Sequence, residues 1–116
     1  MLNQHEQAIY RKKTTLFIML SATDAFIDNE KLREYLDYCY DNAKRYSSNS
    51  LQVHHIVPKS LSKVWGLEKL MRKSYTHVNM TDTCHKHAHW LLYENLKKEY
   101  KKVLNYHGIK DKHKLI

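Results

Sequence analysis

The sequence predicts an α+β fold in which N-terminal helices are followed by a strand, a long loop, a second strand and a further helix. The chain has 116 residues with 2 Gly and 1 Pro, which disfavours many-turned all-β folds and favours helices. Apolar residues recur at helical spacing in the first half, and two short β-branched segments occur in the second. The length is typical of one domain, so we expect residues 1–116 to form a single domain.

The first part of the chain, residues 1–46, is expected to be helical. Residues 4–21 carry apolar side chains in an imperfect helical pattern, which indicates a first helix. A second helix is expected from Asp28 or Asn29, since either can cap a helix. Its apolar positions follow at i, i+4, i+7, i+8 and i+11, and are Leu32, Leu36, Cys39, Tyr40 and Ala43. The polar segment 46–50 has turn chemistry and ends this part.

The second part, residues 51–107, is expected to contain two strands and a helix. Along the chain we expect a strand at 51–57 stopped by Pro58, a basic loop at 59–75 with room for one helical turn, a strand at 76–80, and a helix from Thr81 or Asp82 toward Gly108. The apolar positions of that helix are Ala88, Leu92, Leu96, Tyr100 and Val103. A Lys-rich tail, residues 108–116, completes the chain.

The charge is distributed unevenly along the chain. Lys and Arg number 20 against 12 Asp and Glu, and the whole formal net charge of +8 falls in residues 51–116. A one-sided basic distribution is typical of proteins that bind nucleic acid. We therefore expect phosphate contacts to come from the second half, and changes in residues 1–50 to affect stability or site choice more than the salt dependence of binding.

Two features exclude other classes of protein. The longest apolar run, residues 16–20, is far shorter than the ~18–20 residues of a membrane span, so no membrane partner and a cytoplasmic location are expected. Cys39 and Cys84 are 45 residues apart, which matches neither a zinc-finger spacing nor a disulfide framework.

The histidines of the second half are spaced as metal ligands. His85 and His89 are four residues apart on the expected helix and therefore share a face, whereas His87 points away. His54 and His55 are neighbours on a strand, so their side chains face opposite sides of the sheet. One of them can bind a metal with His85 and His89 while the other faces a substrate. Three neutral imidazoles suit a divalent transition-type ion and leave positions open, as in catalytic sites.

Two segments carry a resemblance to a known family. Residues 54–61 read HHIVPKSL and residues 85–92 read HKHAHWLL. Together they resemble the H-N-H nuclease motif, in the form typical of phage-encoded homing-type endonucleases and shared in part with colicin-type DNases. The resemblance covers residues 44–96. It implies the ββα-metal (His-Me finger) fold, in which a hairpin and a helix surround one divalent ion.

The resemblance also implies roles for individual residues. His54, His85 and His89 would bind one divalent ion, with Mg, Mn, Ni and Zn as the candidates, and His55 would be the general base. The central Asn of the family falls on Thr76 in a gapless alignment, whereas Asn79 is the nearest asparagine. The supporting role of that Asn is therefore open among Thr76, His77 and Asn79, with Asn79 kept as the catalytic candidate.

The resulting prediction is a metal-dependent endonuclease that hydrolyses phosphodiester bonds of double-stranded DNA and leaves 5′-phosphate and 3′-hydroxyl ends. Phosphate contacts are expected from basic residues that flank the site in sequence, namely Lys59, Lys63, Arg72, Lys73 and Lys86. The N-terminal helices or a homodimer would have to supply any sequence specificity. Homing, nicking, packaging, restriction and toxin roles stay open.

The alternative is a non-catalytic nucleic-acid-binding module in which the same histidines hold a structural zinc. Closed structural zinc sites favour thiolate ligands, and neither cysteine has a suitable spacing. The all-histidine ligand set therefore favours the nuclease.

Overall fold

In the computed structural model, which describes residues 2–66 and 76–106, the chain is an α+β protein with a two-stranded antiparallel sheet. Its elements are α1 Gln4–Ser21, α2 Asn29–Asp41, β1 Leu51–His55, α3 Lys59–Trp65, β2 His77–Thr81, α4 Asp82–Asn95 and α5 Lys98–Tyr106. The predicted class, helices followed by a hairpin and a helix, is confirmed at this level. Among the described helices, none is both long enough and apolar enough to cross a membrane.

The two N-terminal helices begin at side chains that cap them. Asn3 and Glu6 form a reciprocal capping box at α1, in which each side chain accepts a hydrogen bond from the other residue's backbone. The Asp28 carboxylate accepts from the backbone N–H of Lys31 at 2.8 Å and begins α2. α1 packs against α2, and α2 packs in turn against α4. This pair of helices therefore forms one wall against which the hairpin region is placed.

The hairpin pairs His54 with Val78 and His55 with His77. Side chains alternate across a strand, so His54, Val78 and Met80 are buried toward α4 while His55 lies on the opposite face. β1 ends at His55 rather than at residue 57, because the chain turns there toward Pro58. One further hydrogen bond, from Ile56 N–H to the Thr76 carbonyl at 2.9 Å, closes this end of the hairpin.

The segment expected to be a basic loop begins with a helix of two turns. Pro58 precedes α3, where its fixed φ favours a helix start. Gly66 ends α3 in the left-handed region at φ +69, a conformation that a residue without Cβ adopts without strain. The expectation of one helical turn was therefore too short. The remainder of the expected loop, residues 67–75, lies outside the described residues.

The predicted single helix from Thr81 toward Gly108 is wrong, because the chain leaves the helical conformation at Leu96. Leu96 is extended, fully buried, and forms a β-bridge with Phe26. Backbone hydrogen bonds flank the bridge, from Ile27 N–H to the Asn95 carbonyl at 2.9 Å and from Lys97 N–H to the Ala25 carbonyl at 2.8 Å. Pairing with the α1–α2 connection thus replaces helical hydrogen bonds at this point and divides the segment into α4 and α5.

One core joins the N-terminal helices to the hairpin region. Its buried side chains include Leu16, Leu20, Leu32, Tyr35, Leu36, Cys39, Ile56, Leu61, Met80, Ala88, Leu92 and Leu96. The expected core position Leu92 is buried, as is its neighbour Leu91, and Trp90 packs against the core while partly exposed. α4 therefore packs against one face of the hairpin, and the shared apolar core joins the hairpin to the other elements.

Candidate metal centre

The structure brings His54, His85 and His89 together. His54 is fully buried on β1, and the other two are half-buried on one face of α4. One ring nitrogen from each residue lies within 4.8 Å of those of the other two. The Nε2 atoms of His85 and His89 are 3.0 Å apart. These residues form the histidine cluster.

The hydrogen bonds of His54 determine which of its nitrogens carries the proton and which carries the lone pair. The Tyr35 hydroxyl donates its single proton to the Ile56 carbonyl at 2.7 Å. The same hydroxyl oxygen lies 2.8 Å from His54 Nε2, so Nε2 must be the donor of that bond. A neutral imidazole protonated on Nε2 carries its lone pair on Nδ1. His54 Nδ1 is buried from solvent and available as a metal ligand.

Burial stabilises this arrangement around Tyr35. Tyr35 is fully buried on α2, and burial raises the pKa of its hydroxyl well above the ordinary value of about 10. The hydroxyl therefore stays protonated and continues to donate to the carbonyl of Ile56. Outer partners of this kind select the tautomer of a histidine ligand and orient its ring.

A polar chain orients His85 in the same manner. The Asp82 carboxylate can only accept hydrogen bonds, so the amide nitrogen of Gln52 is the group that faces it, at 3.0 Å. The amide oxygen of Gln52 is then left to accept from His85 Nδ1 at 2.6 Å. Lys86 pairs with the other oxygen of Asp82 at 3.1 Å. His85 is consequently protonated on Nδ1 and presents the lone pair of Nε2 to His89.

These observations fit a bound divalent ion. Zinc-type ions bind imidazole nitrogens at about 2.0–2.1 Å, and two nitrogens that share such an ion can be 3.0 Å apart, as Nε2 of His85 and His89 are. The tautomers leave lone pairs on His54 Nδ1 and His85 Nε2, and His85 Nε2 lies beside His89. Three histidines from two elements could hold a metal ion. Three protein ligands are the number found in catalytic zinc sites, which keep a further position for water or substrate.

Two neighbouring candidates lie outside the histidine cluster. His87 is exposed, and its ring contacts Tyr38 at a centroid distance of 4.7 Å and Trp90 at 5.4 Å. This position agrees with the helical phase expected for residue 87. The Cys84 thiol, which directly precedes His85 in sequence, lies 3.7 Å from the Asn42 amide oxygen.

His55 lies on the opposite face of the hairpin and lines an open cleft of about 800 Å³. Its ring meets that of His77 edge-on, with centroids 4.8 Å apart. The cleft is lined by His5, Ile9 and Lys12 of α1, by Tyr40 and residues 43–45, by Val53 and His55 of β1, and by residues 77–79. The two adjacent histidines of β1 therefore have different surroundings. His54 is buried, whereas His55 lines an open cleft.

The three candidates for the central Asn role have separate contacts. Asn79 donates from its side-chain amide to the Tyr46 carbonyl at 3.0 Å, which fixes the segment before β1. His77 contacts the ring of His55. Thr76 is buried, and its carbonyl accepts from Ile56. In this structure Asn79 braces a loop, and His77 is the candidate nearest the predicted base.

The predicted phosphate contacts are dispersed. Lys59 and Lys63 are exposed on α3, directly after the end of β1. Lys86 lies on α4 in its ion pair with Asp82. Arg72 and Lys73 lie outside the described residues. The lining of the cleft includes neither Lys59 nor Lys63.

Sequence reasoning missed the residues that orient the ligands. Gln52 is two residues before His54, so strand alternation places both side chains on one face, and this signal was available. Asp82 is three residues before His85 on the same helix, which is also a detectable spacing. Tyr35 looked like a core position of α2, and only the packing of α2 against the hairpin reveals its contact with His54.

Comparison of the chain with protein-family models, with curated proteins and with solved structures finds no match.

Proposed function

We propose that this chain is a metal-dependent DNA endonuclease that uses a ββα-metal site of the H-N-H type. One observation carries the proposal, namely the histidine cluster, in which the proton positions of two of the three imidazoles leave ring nitrogens ready for a cation. The order of the elements supports it, because β1, β2 and α4 supply the hairpin and the helix that such a site needs. The basic character of the chain, +8 overall, supports a polyanionic substrate.

In this proposal His54 Nδ1 and the Nε2 atoms of His85 and His89 hold the ion. A divalent ion in this position offsets the negative charge that develops on the phosphate and the leaving 3′ oxygen. Tyr35 and Gln52 keep the ligands in the neutral tautomers that bind cations. The protein's part is therefore to present three histidines from a partly buried pocket, two of them with tautomers set by hydrogen bonds.

His55 is the proposed general base. It is the last residue of β1, next to His54 in sequence, and it lines the open cleft on the opposite face of the hairpin. A neutral imidazole accepts a proton from the attacking water on its ring nitrogen. The edge-on contact with His77 restricts the orientation of the His55 ring.

Cleavage of supercoiled plasmid in the presence of Mg, Mn, Ni or Zn tests the proposal. We expect conversion to nicked or linear DNA with at least one of these ions, and none after chelation. A His89→Ala preparation should lose the activity and a His87→Ala preparation should keep it, which excludes a contaminating nuclease. Absence of cleavage with every ion, or equal cleavage by both variants, would contradict the proposal.

The same measurements identify the alternative function. Closed structural zinc sites favour thiolates, and among the described residues the cluster contains histidines only, with the Cys84 thiol directed to Asn42. Tight zinc binding and DNA binding without cleavage would instead identify a binding module with a structural zinc.

A further inference from the structure

The open cleft beside His55 is cationic. Its charged and imidazole side chains are Lys12, Lys44, Arg45, His5, His55 and His77, and none of the described residues that line it is acidic. This differs from the charge balance of the sequence, since residues 1–50 contain as many acidic as basic side chains. The fold places the basic side chains Lys12, Lys44 and Arg45 on the cleft and no described acidic side chain beside them. A segment of zero net charge therefore presents a positive surface to the cleft.

The cations of the cleft are available to a ligand. Among the described residues, Lys12, Lys44 and Arg45 form no ion pair, whereas the adjacent Lys13 pairs with Asp37 at 2.8 Å on another side of α1. Consecutive residues of a helix point about 100° apart, which explains the different surroundings of Lys12 and Lys13. An unpaired cation binds a phosphate without first giving up a protein partner.

Backbone contacts hold these cations in place. The Lys44 N–H donates to the Asn79 carbonyl at 2.7 Å, and the Asn79 side chain donates to the Tyr46 carbonyl at 3.0 Å. The segment that bears Lys44 and Arg45 is therefore attached to β2, two residues from His77. Lys12 is placed by the packing of α1 against α2, one turn beyond Ile9 on the same helical face. Charges positioned in advance lose less freedom on binding.

We propose that this cleft binds the phosphodiester backbone of the DNA strand that is cleaved, with α1 and residues 43–45 as one wall and the His55 face of the hairpin as the other. This inference rests on the proposed nuclease function and identifies its substrate surface. The cleft joins several cations to the predicted base on one surface, and several cations together suit the successive phosphates of a strand. The N-terminal helices, outside the H-N-H-like segment, thereby become part of the DNA-binding surface.

The experiment measures binding separately from cleavage. A fluorescein-labelled DNA duplex is titrated with the full chain in EDTA, and the affinity is followed by fluorescence anisotropy over a range of salt concentrations. Each of Lys12→Ala, Lys44→Ala and Arg45→Ala should reduce the log–log salt slope by about 0.9, and the triple variant by about 2.7. Lys13→Ala is the matched control and should leave the slope unchanged. Circular dichroism checks that each variant is folded.

The outcomes separate this inference from the proposed function. Slopes that fall for the cleft variants and not for Lys13→Ala support the cleft, even if no divalent ion promotes plasmid cleavage. If plasmid is cleaved but none of the three single variants changes the salt slope, the cleft is not the DNA-binding surface, and the proposed nuclease function stands. An equal decrease for Lys13→Ala would also overturn it, because binding would then follow total charge rather than this surface.

Discussion

The two faces of the β1–β2 hairpin have opposite physical characters although they come from the same ten residues. The face toward α4 carries His54, Val78 and Met80, which are buried, and its histidine is held by a hydrogen bond to Tyr35. The other face carries His55 and His77 and lines a cleft of about 800 Å³ with cationic walls. One face therefore suits a small ion in a fixed position, and the other a large anion that arrives from solvent.

This difference shows how a strand can divide two tasks between adjacent residues. Alternation places His54 and His55 on opposite sides, so the surroundings of one can be dry and hydrogen-bonded while those of the other are open. A metal ligand needs a defined tautomer, whereas a general base needs access to water and substrate. In this interpretation, an exposed His54 would impair metal binding, and a buried His55 would impair proton transfer.

The largest effect is expected on the open face. His55→Ala should reduce plasmid cleavage by about 10²–10⁴-fold, because it removes the proposed proton acceptor. Affinity for a divalent ion, measured by calorimetric titration, should stay near that of the unchanged chain, since His55 lies away from the histidine cluster. Near-normal cleavage would show that another group is the base. Loss of ion binding would show that His55 is the metal ligand and His54 the base.

The next effect concerns the buried face. His85→Ala or His89→Ala removes a proposed ligand and should weaken ion affinity by more than the 10–100-fold typical of an outer-shell change. His87→Ala, on the same helix but directed toward Tyr38 and Trp90, is the matched control and should have little effect. If calorimetry shows similar losses of ion affinity for all three variants, the ion-binding histidines of α4 are not confined to one helical face.

A smaller effect is expected from the outer partner of His54. Tyr35→Phe leaves the buried Ile56 carbonyl and His54 Nε2 without the hydroxyl, so ion affinity should fall by about 10–100-fold and stability by about 1–3 kcal/mol. Tyr38→Phe makes the same chemical change on the same helix, at a ring that contacts His87 and no member of the histidine cluster in any described ring contact. Chemical denaturation and calorimetry measure both quantities. If the two variants lose ion affinity equally, Tyr35 does not orient the ligand.

The smallest effect tests whether DNA extends from the open face onto α3. Lys59 is exposed at the start of α3, four residues after His55. Lys59→Ala should reduce the log–log salt slope of duplex binding by about 0.9 if it contacts a phosphate. Lys97→Ala serves as the comparison, because Lys97 pairs with Asp24 at 2.9 Å beside the Phe26–Leu96 bridge. An unchanged slope for Lys59→Ala would confine the DNA surface to the cleft.

Local signals predicted much of the secondary structure. The predicted bounds of α1 match the structure, and Asp28 and Thr81, both proposed as caps, are the N-caps of α2 and α4. The spacing of His85 and His89 also predicted that they share a face. Each of these depends on residues close in sequence, where helical periodicity and side-chain capping act directly.

The break at Leu96 had no local signal. Residues 95–97 contain neither Gly nor Pro, and the apolar spacing continues across them. The helix ends because the backbone there pairs with residues 25–27, about seventy positions earlier in the chain. Long-range backbone pairing of this kind replaces local helical hydrogen bonds and is invisible to periodicity.

The sequence by itself determined the α+β order of elements and the shared helical face of His85 and His89, because these follow from periodicity and spacing. The choice of His54 rather than His55 as the third candidate ligand came from the resemblance to the H-N-H motif. Only the tertiary structure decided that Tyr35 reaches His54, and that Lys12, Lys44 and Arg45 line the same cleft as His55. The physical reason is that net charge is a sum over all residues of the chain, wherever they lie in the fold. An approaching ligand instead contacts only the charged side chains on one face of the folded protein. Packing of α1 and α2 beside the hairpin places these cations on the cleft and Asp37 elsewhere, paired with Lys13.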